Sequence, residues 1–206
     1  MRPKKKAILS VLLIFLFAGS GLVVFMNNST PQGETVVFQT SMGNFEVQVD
    51  RTKAPLTADN FIKYVKAGFY NGTVFHRVMP NFVVQGGGFT SLGEEKVTRA
   101  PIKLESNNGL LNTAGTIAMA RTNSPDSATS QFYINLVNNN DLNYKSASNP
   151  GYAVFGRVVS GMEVINKIAG VGTGTRNIFF PQYNQTLPFS DWPVKDVLIT
   201  GCYVKP

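Results

Sequence analysis

A chain of 206 residues, 43% of them apolar, has room for one domain of about 170 residues with a real core, plus a short appendage. The formal charge is +7, but Arg2, Lys4, Lys5 and Lys6 hold four of those charges; the rest of the chain is left near +3, without the clustered basic and aromatic residues of a nucleic-acid surface. A single cysteine, Cys202, and a single histidine, His76, exclude an internal disulfide and any zinc centre built from Cys and His ligands.

Met1-Arg-Pro-Lys-Lys-Lys6 leads into a mostly apolar run from Ala7 to Met26. Charges ahead of an apolar core are the pattern of an export signal and predict that the lysines stay cytoplasmic. Ala18-Gly-Ser20 offers small residues to a signal peptidase, whereas Leu22-Val-Val-Phe-Met26 extends the run to about the length that spans a bilayer. No cysteine follows the apolar core, which excludes a lipoprotein anchor. Residues 1–26 are thus expected to be a signal sequence or a transmembrane anchor, with the uncleaved anchor preferred. Residues 27–34 read as a tether and 35–206 as a domain outside the cytoplasm, in the periplasm or held at the membrane.

Thr35–Thr40 and Asn44–Val49 read as short strands; in the second, Phe45, Val47 and Val49 alternate with Glu46 and Gln48, as in a half-buried strand. Thr57 is placed to cap a helix whose inner face is Phe61, Ile62, Val65 and Tyr64, with Gly68 as its stop. Strands follow around Phe75 and Val84, then at Thr116–Ala120, Gln131–Asn135 and Tyr152–Val159. Ser160-Gly-Met-Glu163 has the form of a capping box, opening a helix with Val164, Ile165 and Ile168 inward. Val197–Thr200 and Cys202–Val204 close the chain. Ser127–Gly151 includes a polar loop at Asn138–Lys145, and Thr173–Pro193, which bears several aromatics, reads as a second long loop. The pattern alone supports a β-rich α+β domain, without internal repeats or a second domain.

Two blocks are specific enough to suggest a family. One is Val74-Phe-His-Arg-Val-Met-Pro-Asn-Phe-Val-Val-Gln-Gly-Gly-Gly88; the other is Thr116-Ile-Ala-Met-Ala-Arg121 with Ser130-Gln-Phe-Tyr-Ile-Asn135. From about Thr35 to Val204 the chain resembles the cyclophilin family of peptidyl-prolyl cis/trans isomerases, and Tyr152-Ala-Val-Phe-Gly156 is most similar to its bacterial, exported members. The resemblance implies a mainly β fold, a closed eight-stranded antiparallel barrel with two helices. It implies an isomerase that assists protein folding, acts on proline-containing polypeptides, and needs neither cofactor nor metal. The alternative is a cyclophilin-fold module tethered to the membrane that binds proline segments without catalysis.

The chemistry fits those residues. An X–Pro bond exchanges slowly because amide resonance must be broken, at about 18–20 kcal/mol, yet no proton need leave and no covalent intermediate is needed. A catalyst must hold the proline ring, grip the flanking backbone and favour the twisted amide, whose ring nitrogen has lost conjugation and gained basicity. A donor aimed at that nitrogen binds the transition state better than the planar ground state. Arginine is always charged and carries its donors in a rigid fork.

The resemblance gives Arg77 the catalytic donor's place, Phe82 the floor of the proline pocket, and Gln85 an amide supporting the arginine and the substrate backbone. Val83, Ala120, Arg121, Gln131, Tyr133, Leu142 and Tyr152 fall on substrate-binding positions. Several depart from the common pattern: Val83 replaces a methionine, Arg121 an asparagine, Tyr133 a phenylalanine, and Tyr152 a histidine frequent in eukaryotic members. Asp141 stands where members that bind cyclosporin have tryptophan, which implies weak cyclosporin binding. Trp192 matches no site position. His76 is expected to be a buried structural ring rather than an acid or base, and Cys202 a buried structural thiol. Gly86-Gly-Gly88 lacks the following Gly-Lys-Ser/Thr of a phosphate loop and is expected where backbone crowds against neighbours.

Overall fold

The computed structural model describes residues 33–206. The expected anchor at 1–26 and most of the tether lie outside the described residues. Ten strands and two helices follow in chain order: β1 (Thr35–Thr40), β2 (Gly43–Val49), α1 (Pro55–Lys66), β3 (Arg77–Met79), β4 (Val83–Gly86), β5 (Thr116–Met119), β6 (Phe132–Asn135), β7 (Val154–Ser160), α2 (Met162–Ala169), β8 (Thr173–Phe180), β9 (Gln185–Pro193) and β10 (Ile199–Val204). Eight strands form one antiparallel sheet in the order β10-β1-β2-β7-β5-β6-β4-β3. The sheet curls until its edges meet. Val74 bridges Leu198, the Phe75 amide donates to the Val197 carbonyl at 3.0 Å, and the Ile199 amide donates to Thr73 at 2.8 Å. The expected barrel is thus closed through a short seam rather than a full ladder.

Strand alternation sends Phe38, Phe45, Val47, Phe132, Ile134 and Phe155 into the interior, where they are fully buried. Phe38 stacks on Phe45 with ring centroids 4.7 Å apart. The inner faces of both helices join this core through Phe61, Ile62 and Val65 of α1 and Val164, Ile165 and Ile168 of α2. Each such side chain taken from water contributes about 1.5–3 kcal/mol, which suffices without disulfides. Cys202 is buried in β10 and burial pushes its thiol pKa up, so it is an inert core residue.

Three local expectations are corrected. Helix α1 begins at Pro55 rather than after Thr57, because a proline at the first position costs the helix no hydrogen bond. Thr57 does not cap it; the carboxylate of Glu105 accepts from the Leu56 and Thr57 amides, at 3.1 and 2.8 Å, and from the Thr57 hydroxyl. The capping box at the second helix does not form either. Gly161, at φ 81°, precedes α2, and Ser160 stays in β7, paired with Glu46. A Cβ at Gly161 would lie 2.5 Å from the Asn44 carbonyl oxygen, so the turn needs glycine.

The third correction concerns Thr173–Pro193, expected as a loop. It is a two-stranded hairpin, β8–β9, lying outside the main sheet. It is fixed along its length by a second apolar cluster in which Trp192 near its base and Ile178 and Phe180 near its turn pack with Val74 and Phe89. The Trp192 indole donates to Asp196 at 2.8 Å, and Arg176 reaches both Asp196 and the Ser91 carbonyl. Strand β9 thereby packs against β3. The polar segment before β7 is irregular except for one 3₁₀ turn at Asn140–Leu142.

Candidate active site

Register across the curled sheet builds the site. A turn at Pro80–Phe82, with Asn81 at φ 59°, folds β4 back on β3 so that Arg77 stands directly opposite Gln85. Gln85 in turn faces Tyr133 on β6, Tyr133 faces Ala118 on β5, and Ala118 faces Val154 on β7. The row Arg77–Gln85–Tyr133–Ala118–Val154 therefore shares the outer face, while Val78, Val84, Ile134 and Ile117 point into the core. The eight-residue spacing of Arg77 and Gln85 is the length of one tight hairpin.

Above this row lies a pocket of about 180 Å³ lined by Arg77, Phe82, Val83, Gln85, Ala120, Arg121, Tyr133, Leu142 and Tyr152. Nine of the ten residues anticipated from the sequence are thus brought together in one cavity, sized for a single ring rather than a large ligand. The tenth, Gln131, lies in the adjoining cavity and accepts a hydrogen bond from the Gln85 amide at 3.0 Å. The polar groups are Arg77, Gln85 and Arg121; the rest of the lining is apolar or aromatic. Tyr133 and Tyr152 meet edge to face at 5.9 Å, and the Arg121 guanidinium lies 4.6 Å over the Tyr152 ring. Arg121 also donates to the Gly151 carbonyl through Nε and Nη2, at 3.0 and 2.9 Å, which fixes the far wall.

Gln85 was expected to support the arginine; its amide nitrogen donates to Gln131 and lies 3.5 Å from His76 Nε2. Arg77 is paired with Asp191 of β9, Nε to Oδ2 at 3.6 Å, its only carboxylate partner among the described residues. This contact engages the side of the guanidinium and leaves the two terminal nitrogens free of carboxylate. His76 is 2% exposed beside Phe89, and burial, the dominant influence, lowers its pKa to about 4. A neutral ring at physiological pH agrees with the structural role expected for it.

Sequence reasoning missed the polar scaffold behind the pocket. Asn112 is fully buried; its Oδ1 accepts from the Tyr133 hydroxyl at 2.7 Å and from Asn135 at 3.2 Å, while its Nδ2 donates to the Leu142 carbonyl at 3.0 Å. This answers the question raised by tyrosine at a phenylalanine position: the hydroxyl has a partner, and its burial pushes the phenol pKa up. Asn139 holds the Phe82 carbonyl at 3.0 Å. The three glycines are also explained: a Cβ on Gly86 would lie 2.9 Å from the Phe75 ring and 3.1 Å from the Val74 carbonyl oxygen. A Cβ on Gly87, at φ 85°, would meet Phe132 and Tyr70 at 2.9 Å, and one on Gly88 would strike the Gln131 side chain at 2.7 Å.

Residues 35–204 match the family described as cyclophilin type peptidyl-prolyl cis-trans isomerase/CLD. The chain belongs to the cyclophilin family. This cyclophilin is 59% identical over 140 residues to a peptidyl-prolyl cis-trans isomerase of Acinetobacter baylyi, covering 68% of this chain and 74% of that one. It is 46% identical over 167 residues to peptidyl-prolyl cis-trans isomerase B of Escherichia coli, covering 80% and 99% of the two chains. Among solved structures it is similar in fold to a Cryptosporidium parvum cyclophilin, with TM-score 0.66 and 20% identity over 84% of this chain and 98% of that one. The cyclophilin is a peptidyl-prolyl cis/trans isomerase, of a kind with its bacterial relatives.

Proposed function

We propose that isomerisation takes place in the 180 Å³ pocket, with Arg77 as the group that stabilises the twisted amide. The proline ring enters between Phe82, Val83, Tyr133 and Leu142, and Gln85 faces the substrate backbone from the rim. As the X–Pro bond rotates, the ring nitrogen becomes pyramidal and basic, and a terminal N–H of Arg77 donates to it. A charge-assisted bond stronger by about 3 kcal/mol at the twisted state is worth about a hundredfold in rate. The observation that carries this reading is the juxtaposition of an arginine donor with a pocket sized for one ring and walled on one side by Phe82, Val83, Tyr133 and Leu142. No proton is transferred, so His76 has no part in the chemical step.

The test is the rate of cis/trans exchange in a short proline peptide with purified full chain. Saturable acceleration supports the reading; binding of the peptide without acceleration would make the pocket a docking site only.

The N-terminal sequence supports export, with residues 1–26 retained as a membrane anchor, 27–34 as a tether and 35–206 as the domain acting on polypeptides outside the cytoplasm. Fractionation with N-terminal sequencing decides it: intact Met1 or Arg2 in the membrane fraction is expected, and a mature chain starting near Ser20 contradicts it. Cyclosporin binding is expected to be weak. Asp141 lies in the 3₁₀ turn beside Leu142, paired with Lys145 at 2.8 Å, and offers charge where an apolar plate with an N–H is needed.

A further inference from the structure

The pocket does not end at Arg77. A second cavity, of about 440 Å³, shares Arg77 and Gln85 with it, and its outer wall is hairpin β8–β9, through Phe180, Pro188, Phe189, Ser190 and Asp191. A third, of about 750 Å³, shares Glu95 and Phe180 with the second and runs between segment 92–98 and residues 177–182 of the hairpin. Consecutive cavities thus have walls in common, from the proline pocket to the far side of the hairpin.

We propose that these cavities form one channel that receives the substrate polypeptide beyond its proline, with hairpin β8–β9 as the specificity element. The inference rests on the assignment of the proline to the pocket at Arg77. Continuity with that pocket identifies the occupant: a chain whose proline sits beside Arg77 has its next residues at the mouth of the second cavity.

The walls specify the kind of segment. Leu92, Val97 and Phe179 line the outermost cleft and are 77%, 94% and 55% exposed, a concentration of open apolar surface on one feature. Glu94 and Glu95 supply acidic groups along the same path, whereas Asp191 is already paired with Arg77. Lys96, the basic residue of the outer cleft, is turned away, with its ammonium on the Phe69 carbonyl and 4.6 Å over the Phe69 ring. The channel therefore suits an extended segment with apolar and basic side chains. The hairpin can act as a wall because Trp192 near its base and Ile178 and Phe180 near its turn tie it to the barrel along its length.

The experiment compares kcat/KM of the full chain on a four-residue proline peptide and on the same core extended by about six apolar and basic residues, on either the N- or the C-terminal side. Six extended residues reach about 20 Å. The expected result is a preference of about tenfold for one of the two extended peptides. That preference falls towards one in Leu92→Ser/Phe179→Ser, and also when the added basic residues are made acidic. Both substitutions are at exposed positions, and an unchanged unfolding midpoint checks the fold. Equal turnover of short and both long peptides, or a preference that survives both changes, overturns the channel. Arg77→Ala separates the two readings by titration. A variant that isomerises normally refutes the role of Arg77, while its affinity ratio for long over short peptide still reports on the channel.

Discussion

His76 makes stability depend on pH, and both the sign and the size follow from its burial. The ring is 2% exposed, with Phe89 at 4.8 Å and Trp192 at 5.8 Å, and its pKa is lowered from 6.5 to about 4. Above pH 6.5 the imidazole is neutral in both folded and unfolded chains, and stability from this group is fully present. As pH falls below 6.5 the unfolded chain takes up a proton that the folded chain refuses, so stability declines by up to about 1.4 kcal/mol per pH unit. The decline ends near pH 4, after a loss of about 3 kcal/mol. Urea unfolding of the full chain and of His76→Gln, at intervals from pH 7.5 to 4, isolates this contribution. The difference in stability between the two should shrink across that window as the wild type loses its advantage. Glu34 and Asp59, whose pKa values are lowered by Arg51 and Lys63, lose their own contributions as pH falls below the ordinary carboxylate range, but equally in both proteins. A difference that stays constant with pH would refute the reasoning, since His76 would then be hydrated or protonated in the folded chain.

Further outcomes follow from the same contacts. Asp191→Asn removes the only carboxylate partner of Arg77 among the described residues; the pair is about 40% exposed on both sides, so kcat/KM should fall only about threefold, more at low salt than at high. An effect of equal size in an Arg77→Ala background would mean that Asp191 acts through the hairpin and not through the arginine. Tyr133→Phe removes the hydroxyl that donates to Asn112, and should lower stability by about 1 kcal/mol by denaturant unfolding while leaving the ring in the pocket wall. Because Arg77 stays charged and no proton is transferred, kcat/KM should be flat from about pH 6.5 to 9; a bell-shaped profile would point to an acid or base the mechanism does not contain.

The strands that carry the site were legible from the residues, but the placing of Arg77, Gln85 and Tyr133 in a site came from the family resemblance. Arg77 and Gln85 pair because eight positions across a turn is one hairpin, and Tyr133 joins them because β6 pairs β4 in register. Phe82, Val83 and Leu142 could be assigned only through family resemblance, since an isolated apolar residue is more often core. The partner of Arg77 was not legible: Asp191 lies in a segment with Pro181 and Pro188 that carries no clean alternation, and its hairpin is held by contacts to Val74 and Phe89 far away in sequence. Asn112 was hidden for the same reason, its partners being 21 to 31 residues distant. The helix starts differ where tertiary contacts displaced local ones, with Glu105 replacing a Thr57 cap and the strand pairing of Ser160 with Glu46 holding it in β7 in place of a capping box.

The most direct test of the account is exchange of a short X–Pro peptide, followed by NMR with purified full chain, wild type against Arg77→Ala. The account predicts rapid catalysis by the wild type, and about a hundredfold loss in the variant, with peptide affinity changed far less and the unfolding transition intact. A folded Arg77→Ala variant that retains wild-type catalysis would contradict it, because the twisted amide would then be stabilised by some other group.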